Sequence, residues 1–258
     1  VNKENALASG IVAEKDRDKM VDTVFINIKK NSLDKNQLMI LDMLANFDWK
    51  RPIYMTQVYI LQDFGLMDYL QFDGYAYRLV PILTPTQNPY EIGRIDADYA
   101  APLLRDTFRY GNLKDPRVYA AFARVAKELL RQNRVAEAVE LLDLGLERMP
   151  TSQVRFTDTN TYPFLEAYYA ASAMGDKEAA AKGDALLREY AQTLIEYIEH
   201  YLRFEGAQGD MVSGLIDEKL DQLGDIYYLA SYADRKEVVA ELNDYYRSLG
   251  VSEENLID

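Results

Sequence analysis

The sequence predicts an α+β protein that is predominantly α, with a small mixed α/β N-terminal unit followed by antiparallel helical hairpins. Three observations lead there. Over residues 1–85, short β-branched and aromatic runs alternate with helical stretches. Pro85 and Pro89 then interrupt hydrogen bonding, and an extended connection follows from them. From Asp115 onward, apolar residues recur at helical spacing, punctuated by short polar turns. The domain reading is a unit over 1–85, a linker and transition helix over 86–114 (helical from about Ala97 to Tyr110), and helical hairpins over 115–258.

In the first unit, Val24-Phe25-Ile26-Asn27-Ile28 predicts a strand. Ser32 is the expected cap of a helix reaching about Asn46, with Leu38, Leu41, Met43 and Leu44 on its apolar side. Pro52–Ile60 predicts a second strand, with proline at its first position where the missing N–H does least harm. A short helix over Phe64–Phe72 and a third strand over Tyr75–Ile82 complete a strand-helix-strand-helix-strand order. Crossover helices of that kind imply parallel pairing.

In the second part, Asp115-Pro116 predicts an N-cap with proline at the first helical position. Val118, Phe122, Val125 and Leu129 then mark one helix face, and Val135, Val139, Leu142, Leu146 and Met149 mark the next helix, stopped by Pro150. Phe164, Tyr168 and Ala171 lead through Gly175-Asp176 to Leu187, Tyr190, Leu194 and Tyr201. Ile216, Leu220, Leu223 and Tyr227 lead through Asp234-Arg235-Lys236-Glu237, an expected capping box, to Val238, Leu242, Tyr245 and Leu249. Hairpins starting near 116, 163 and 212 predict a short helical solenoid. The first, with Ala126 and Ala138 permitting close helix approach, resembles a tetratricopeptide repeat.

Composition excludes several functions. The net charge of -13 opposes nucleic-acid binding, which needs cationic patches. Residues 205–258 hold 13 Asp and Glu against 4 Lys and Arg, a solvated acidic face or a site for a cationic partner. Without cysteine there is no disulfide, thiol catalysis or thiolate-bound zinc, and His200, the single histidine, precludes a multi-histidine metal site. No apolar run reaches eighteen residues, so direct membrane insertion is not expected. Neither a glycine-rich phosphate loop nor GxSxG occurs. Asp96-Ala97-Asp98 reads as an acidic helix start rather than a calcium loop. Twenty tyrosines, several in adjacent pairs, read as inter-helix packing with one ring of each pair inward and the other near the rim, or as an aromatic surface for a peptide or sugar. Val1 in place of Met suggests a segment of a longer polypeptide.

Three stretches carry a resemblance: Trp49-Lys50-Arg51-Pro52-Ile53-Tyr54, Gly74-Tyr75-Ala76-Tyr77-Arg78-Leu79-Val80-Pro81 and Tyr110-Gly111-Asn112-Leu113-Lys114-Asp115-Pro116. Together they are similar to the C-terminal soluble region of a family of multi-spanning membrane proteins common in Bacteroidetes. Its eukaryotic relative is a protein O-mannosyltransferase with a tetratricopeptide-containing tail. The resemblance implies an upstream membrane domain of the lipid-linked-sugar glycosyltransferase type, with this region on the periplasmic side of the inner membrane. It also implies that the catalytic acid lies in that membrane domain, so no catalytic, cofactor or metal residue is assigned to this chain. The implied partners are the parent's membrane domain and an acceptor protein or glycan, with Trp49, Arg51, Tyr54, Tyr77 and Arg78 as the candidate docking surface. Pairing of Arg51 and Arg78 with acidic residues is the competing structural role. A free-standing interaction scaffold and a glycosidase using paired carboxylates are the alternatives.

Overall fold

A computed structural model describes residues 1–85, 91–107, 116–151 and 161–250, and the chain divides into two compact units, Val1–Gly111 and Asn112–Asp258. The Tyr110–Asp115 motif, the Asp115 cap, and residues 86–90 of the linker lie outside the described residues.

The first unit runs α1 (Lys3–Ala8), a 3-10 turn (Glu14–Lys19), α2 (Lys35–Ala45), β1 (Tyr54–Met55), α3 (Tyr59–Gln62), a second 3-10 turn (Met67–Tyr69), β2 (Leu70–Phe72), β3 (Tyr77–Leu79) and α4 (Ala97–Thr107). The strands form an antiparallel sheet in the order β1-β3-β2, not the parallel sheet expected. The reason is the Asp73-Gly74 turn. Gly74 takes φ +93, and the Asp73 N–H donates to Ala76 O at 2.9 Å, closing a tight β2–β3 hairpin where a helix C-terminus was expected. The Pro52–Ile60 strand shrinks to two residues because Val58 turns the chain into α3.

Val24–Ile28 forms no ladder. It is held alongside residues 63–64 by Asn27 N to Phe64 O (2.9 Å) and Lys29 N to Asp63 O (3.1 Å), and Phe25, Ile26 and Ile28 face solvent. The helix after it is capped by Asp34, not Ser32, in a reciprocal box: Asp34 accepts from Gln37 N at 2.8 Å and Gln37 Oε1 accepts from Asp34 N at 3.0 Å. That start aims Gln37, Ile40, Leu41 and Leu44 inward and leaves Leu38 and Met43 outside.

Among the described residues, the second unit holds three helical hairpins: α5 (Pro116–Arg131) with α6 (Val135–Arg148), α7 (Tyr162–Ala173) with α8 (Ala179–Tyr201), and α9 (Gly206–Tyr232) with α10 (Lys236–Ser248). The apolar stripe read from α5, Val118, Phe122, Val125 and Leu129, is buried. The third hairpin begins at Gly206 rather than near 212.

All three turns use one device. Asn133 (φ +60), Gly175 (φ +103) and Asp234 (φ +54) adopt the left-handed conformation. The next N–H then bonds back into the preceding helix: Arg134 N to Leu129 O (2.9 Å), Asp176 N to Ala171 O (3.1 Å) and Arg235 N to Ala230 O (2.9 Å). Asp234 therefore terminates α9 instead of opening a capping box for α10, whose start has no side-chain cap. Asp176 braces the turn into α8 by accepting from Glu178 N at 3.0 Å and Ala179 N at 2.9 Å, while Glu178 itself holds the N-cap position without a side-chain bond.

Close approach between helices is set by glycines. A Cβ on Gly145 would lie 3.0 Å from Phe164 and 3.1 Å from Phe122, and one on Gly183 would lie 2.8 Å from the Tyr169 ring. Both rings of the Tyr168/Tyr169 pair are buried, against the one-in, one-out expectation, because each hydroxyl has a carboxylate to bond: Asp143 at 2.9 Å and Asp184 at 3.1 Å. Asp184 also receives both Nε and Nη2 of Arg235, at 2.9 and 2.5 Å, tying α8 to the α9–α10 turn.

Candidate functional site

The sheet of the first unit has two chemically different faces. Leu70 and Leu79 are directly opposed across β2 and β3, and both join the cluster containing Leu61, Phe64, Leu66 and Tyr69. Successive strand residues alternate faces, so the intervening positions form a polar row. Tyr54 pairs with Arg78, Arg78 with Gln71, and Gln71 with Arg94, whose backbone extends the sheet edge through Arg94 N to Leu70 O (2.9 Å) and Phe72 N to Arg94 O (2.7 Å).

Arg78 occupies the centre of that row and is only 4% exposed. Its Nε lies 2.9 Å from Oδ2 of Asp73 as an ion contact without hydrogen-bond alignment, and Nη2 donates to Asp73 Oδ1 at 3.2 Å. Nη1 donates to Gly10 O at 2.7 Å, fastening the segment after α1. The guanidinium stands 4.5 Å from the centroid of the Tyr99 ring and 6.0 Å from that of Tyr54. Those two tyrosines reach the surface, their hydroxyls 3.3 Å apart.

The row continues through Gln71, whose amide donates to Asp73 Oδ1 at 2.8 Å and whose Oε1 accepts from Arg94 Nη1 at 3.1 Å. Arg94 Nη2 then bonds to buried Asp16 at 2.7 Å, and Lys19 reaches the other oxygen at 2.6 Å. Lys15 joins the 3-10 turn to the start of α4 through Asp96 (2.8 Å) and Asp98 (2.5 Å), so these acids serve a helix start, as their spacing implies.

Electrostatically Asp16 and Asp73 diverge. Burial pushes Asp73 above the ordinary carboxyl value, and the Arg78 charge with hydrogen bonds from Gln71 and Arg78 only partly offsets it. Burial also opposes ionisation of Asp16, but Lys19 and Arg94 together outweigh it and hold its carboxyl below the ordinary value. Burial first, then the Tyr99 hydrogen bond, raises the Tyr54 phenol. Each carboxylate already faces a cation, so the arrangement fixes the positions of the turn, the sheet and α4.

The five residues singled out from sequence do not form one surface. Trp49 is buried among Ala6, Ile11, Val12, Met20, Val80 and Ile82, its ring 4.5 Å from Phe47. It adopts φ +65, unusual for a bulky side chain, and its carbonyl accepts from Ser9 Oγ at 2.9 Å, while Asn5 Nδ2 holds Asp48 O at 2.8 Å. Arg51 is exposed, Tyr77 packs half-buried against the Leu70–Leu79 cluster, and Arg78 is buried in its ion pair. Tyr54 alone combines exposure with a place in the network. Sequence reasoning missed Asp16, Gln71, Asp73, Arg94 and Tyr99. The alternation Leu70-Gln71-Phe72-Asp73 against Tyr77-Arg78-Leu79 carried a usable signal for Gln71 and Asp73.

Among the described residues, no helix is long and apolar enough to cross a membrane, and no group of three or more acidic or histidine side chains is arranged to hold a metal ion. His200 is exposed on α8, edge-on to Phe204 at 5.4 Å. No curated protein and no solved structure matches the chain. Residues 1–99 match the family model described as TMEM260-associated domain 2, an associated domain rather than a catalytic family. The match fits the O-mannosyltransferase-related family to which the motifs point, and it spans the entire network from Gly10 to Tyr99, so over this stretch the chain is similar to TMEM260-associated domain 2.

Proposed function

We propose that this chain is the non-catalytic, extracytoplasmic accessory region of a polytopic glycosyltransferase-like membrane protein. In this reading the first unit docks on the parent's membrane domain and the tetratricopeptide-like hairpins receive an acceptor protein. The observation that carries the proposal is the match of residues 1–99 to TMEM260-associated domain 2. The buried carboxylates of that stretch support it, because Asp73 and Asp16 are each neutralised by guanidinium or ammonium groups. A unit whose buried Asp16 and Asp73 each face a cation, with Tyr54 and Tyr99 at its surface, suits docking better than proton transfer.

The test is an in-frame deletion of these residues from the full-length gene product, with membrane insertion followed by protease protection and hexose occupancy on secreted proteins followed by mass spectrometry. Retained insertion with reduced occupancy supports the accessory role. Unchanged occupancy contradicts it.

A further inference from the structure

The longest helix of the second unit, α9, presents a chemically distinctive outer side. Met211, Leu215, Asp221, Asp225, Tyr228 and Tyr232 fall within an arc of about 140° at 100° per residue, and they extend along about 30 Å of helix. Leu223 and Ala230 point away from that arc, Ile226 and Gln222 border its Leu215 edge, and all four are buried. Met211 is 83% exposed and Tyr232 93%, so large apolar groups stand in water at both ends of the face. Carboxylates occupy its middle. The helix carries five Asp and Glu against one lysine, within the tail of 13 acidic and 4 basic residues over 205–258. Gly214 sits on the same side, where an added Cβ would meet nothing within 4 Å. Glycine in a helix interior costs about 1 kcal/mol relative to alanine, and close backbone approach by another chain is one use that offsets such a cost.

We propose that this face of α9 is a docking surface for a cationic amphipathic segment of a polypeptide partner, with apolar side chains at its two ends and Lys or Arg between them. Charge selects this occupant over the others. A second copy would bring the same carboxylates against these, and anionic lipid headgroups would be repelled likewise. The segment lies along Met211 to Tyr232, its end residues packing on Met211 and Leu215 and on Tyr228 and Tyr232, with its cations over Asp221 and Asp225. The proposal deepens the acceptor-binding reading by naming the chemistry an acceptor segment must carry.

Calorimetric titration of the full 258-residue chain with a 20-residue amphipathic Lys/Leu peptide tests it, using a scrambled isomer of equal charge as control. The amphipathic peptide is expected to bind and to weaken steeply with added salt, while the isomer binds at least about tenfold more weakly. Met211→Ser, Asp221→Lys and Tyr232→Ser alter exposed side chains, and circular dichroism checks that each variant stays folded. Each is expected to lose about tenfold or more in affinity. Absence of binding, equal binding of the isomer, or variants that bind like the parent chain overturns the proposal. So does salt-insensitive binding to phosphatidylglycerol vesicles, or a dimer abolished by Tyr232→Ser, since either assigns the face to another occupant. Loss of the α9 surface by these criteria leaves the accessory role standing, because that role is read from glycan occupancy after deletion.

Discussion

Arg78 and Asp73 form a buried ion pair across the β2–β3 hairpin, Nε to Oδ2 at 2.9 Å, at the centre of a polar row running through the first unit. Replacing Arg78 by Met leaves a buried carboxylate without its cation. The expected cost is about 3–5 kcal/mol, measured by urea unfolding, because desolvation of Asp73 is then uncompensated. Replacing both residues by apolar groups of similar volume is expected to cost much less. Equal losses in the single and double variants would refute the assignment.

Asp16 and Asp73 give opposite pH dependences. Asp16 has its folded pKa depressed, so its contribution is present above the ordinary value of 3.8 and is lost as pH falls through the depressed one. Asp73 has its folded pKa raised, so its contribution is present below 3.8 and is lost as pH rises through the raised value. Unfolding free energies over a pH series are expected to flatten below pH 3.8 in Asp16→Asn and from pH 3.8 upward in Asp73→Asn. Parallel profiles in both variants would contradict the sign assigned to each group.

Trp49 and Arg51 separate core from surface. Trp49→Ala is expected to destabilise by about 3–5 kcal/mol through cavity formation, while Arg51→Ala stays within about 0.5 kcal/mol of the parent. A stable Trp49→Ala variant would return the indole to the candidate docking surface.

Two glycines offer a contrast at the same substitution. Gly183→Ala places its Cβ 2.8 Å from the Tyr169 ring, and overpacking of about 1–3 kcal/mol is expected to exceed the gain in helix propensity. Gly214→Ala meets open space, so a gain of about 0.5–1 kcal/mol is expected in thermal unfolding. The same sign at both sites would be incompatible with the close α7–α8 approach.

What was legible in the sequence was the structure written locally. The α5 stripe at Val118, Phe122, Val125 and Leu129 repeats within one helix, and the turn residues Asn133 and Gly175 stand directly beside the ends they terminate. The strands were not legible at the same level. Their two or three residues leave too few positions to establish a period, and Val24–Ile28 has β-prone side chains but no strand beside it to complete a ladder. Tyr54 and Arg78 were found through motifs, yet Arg78 takes its role from Asp73, five positions before it, and the network runs on to residues near 16 and 94. Such pairings depend on tertiary contacts between distant segments, and no periodicity links them.

Glycosyl transfer in trans separates an accessory role from an independent activity of the chain. The membrane domain proposed for the parent, purified without these residues, is supplied with a lipid-linked hexose and an acceptor protein, and transfer is measured with and without the purified chain. The expected result is no transfer or glycan hydrolysis by the chain alone and an increase in transfer when it joins the membrane domain. Transfer or hydrolysis by the chain alone, or transfer by the membrane domain indifferent to its addition, would contradict an accessory role.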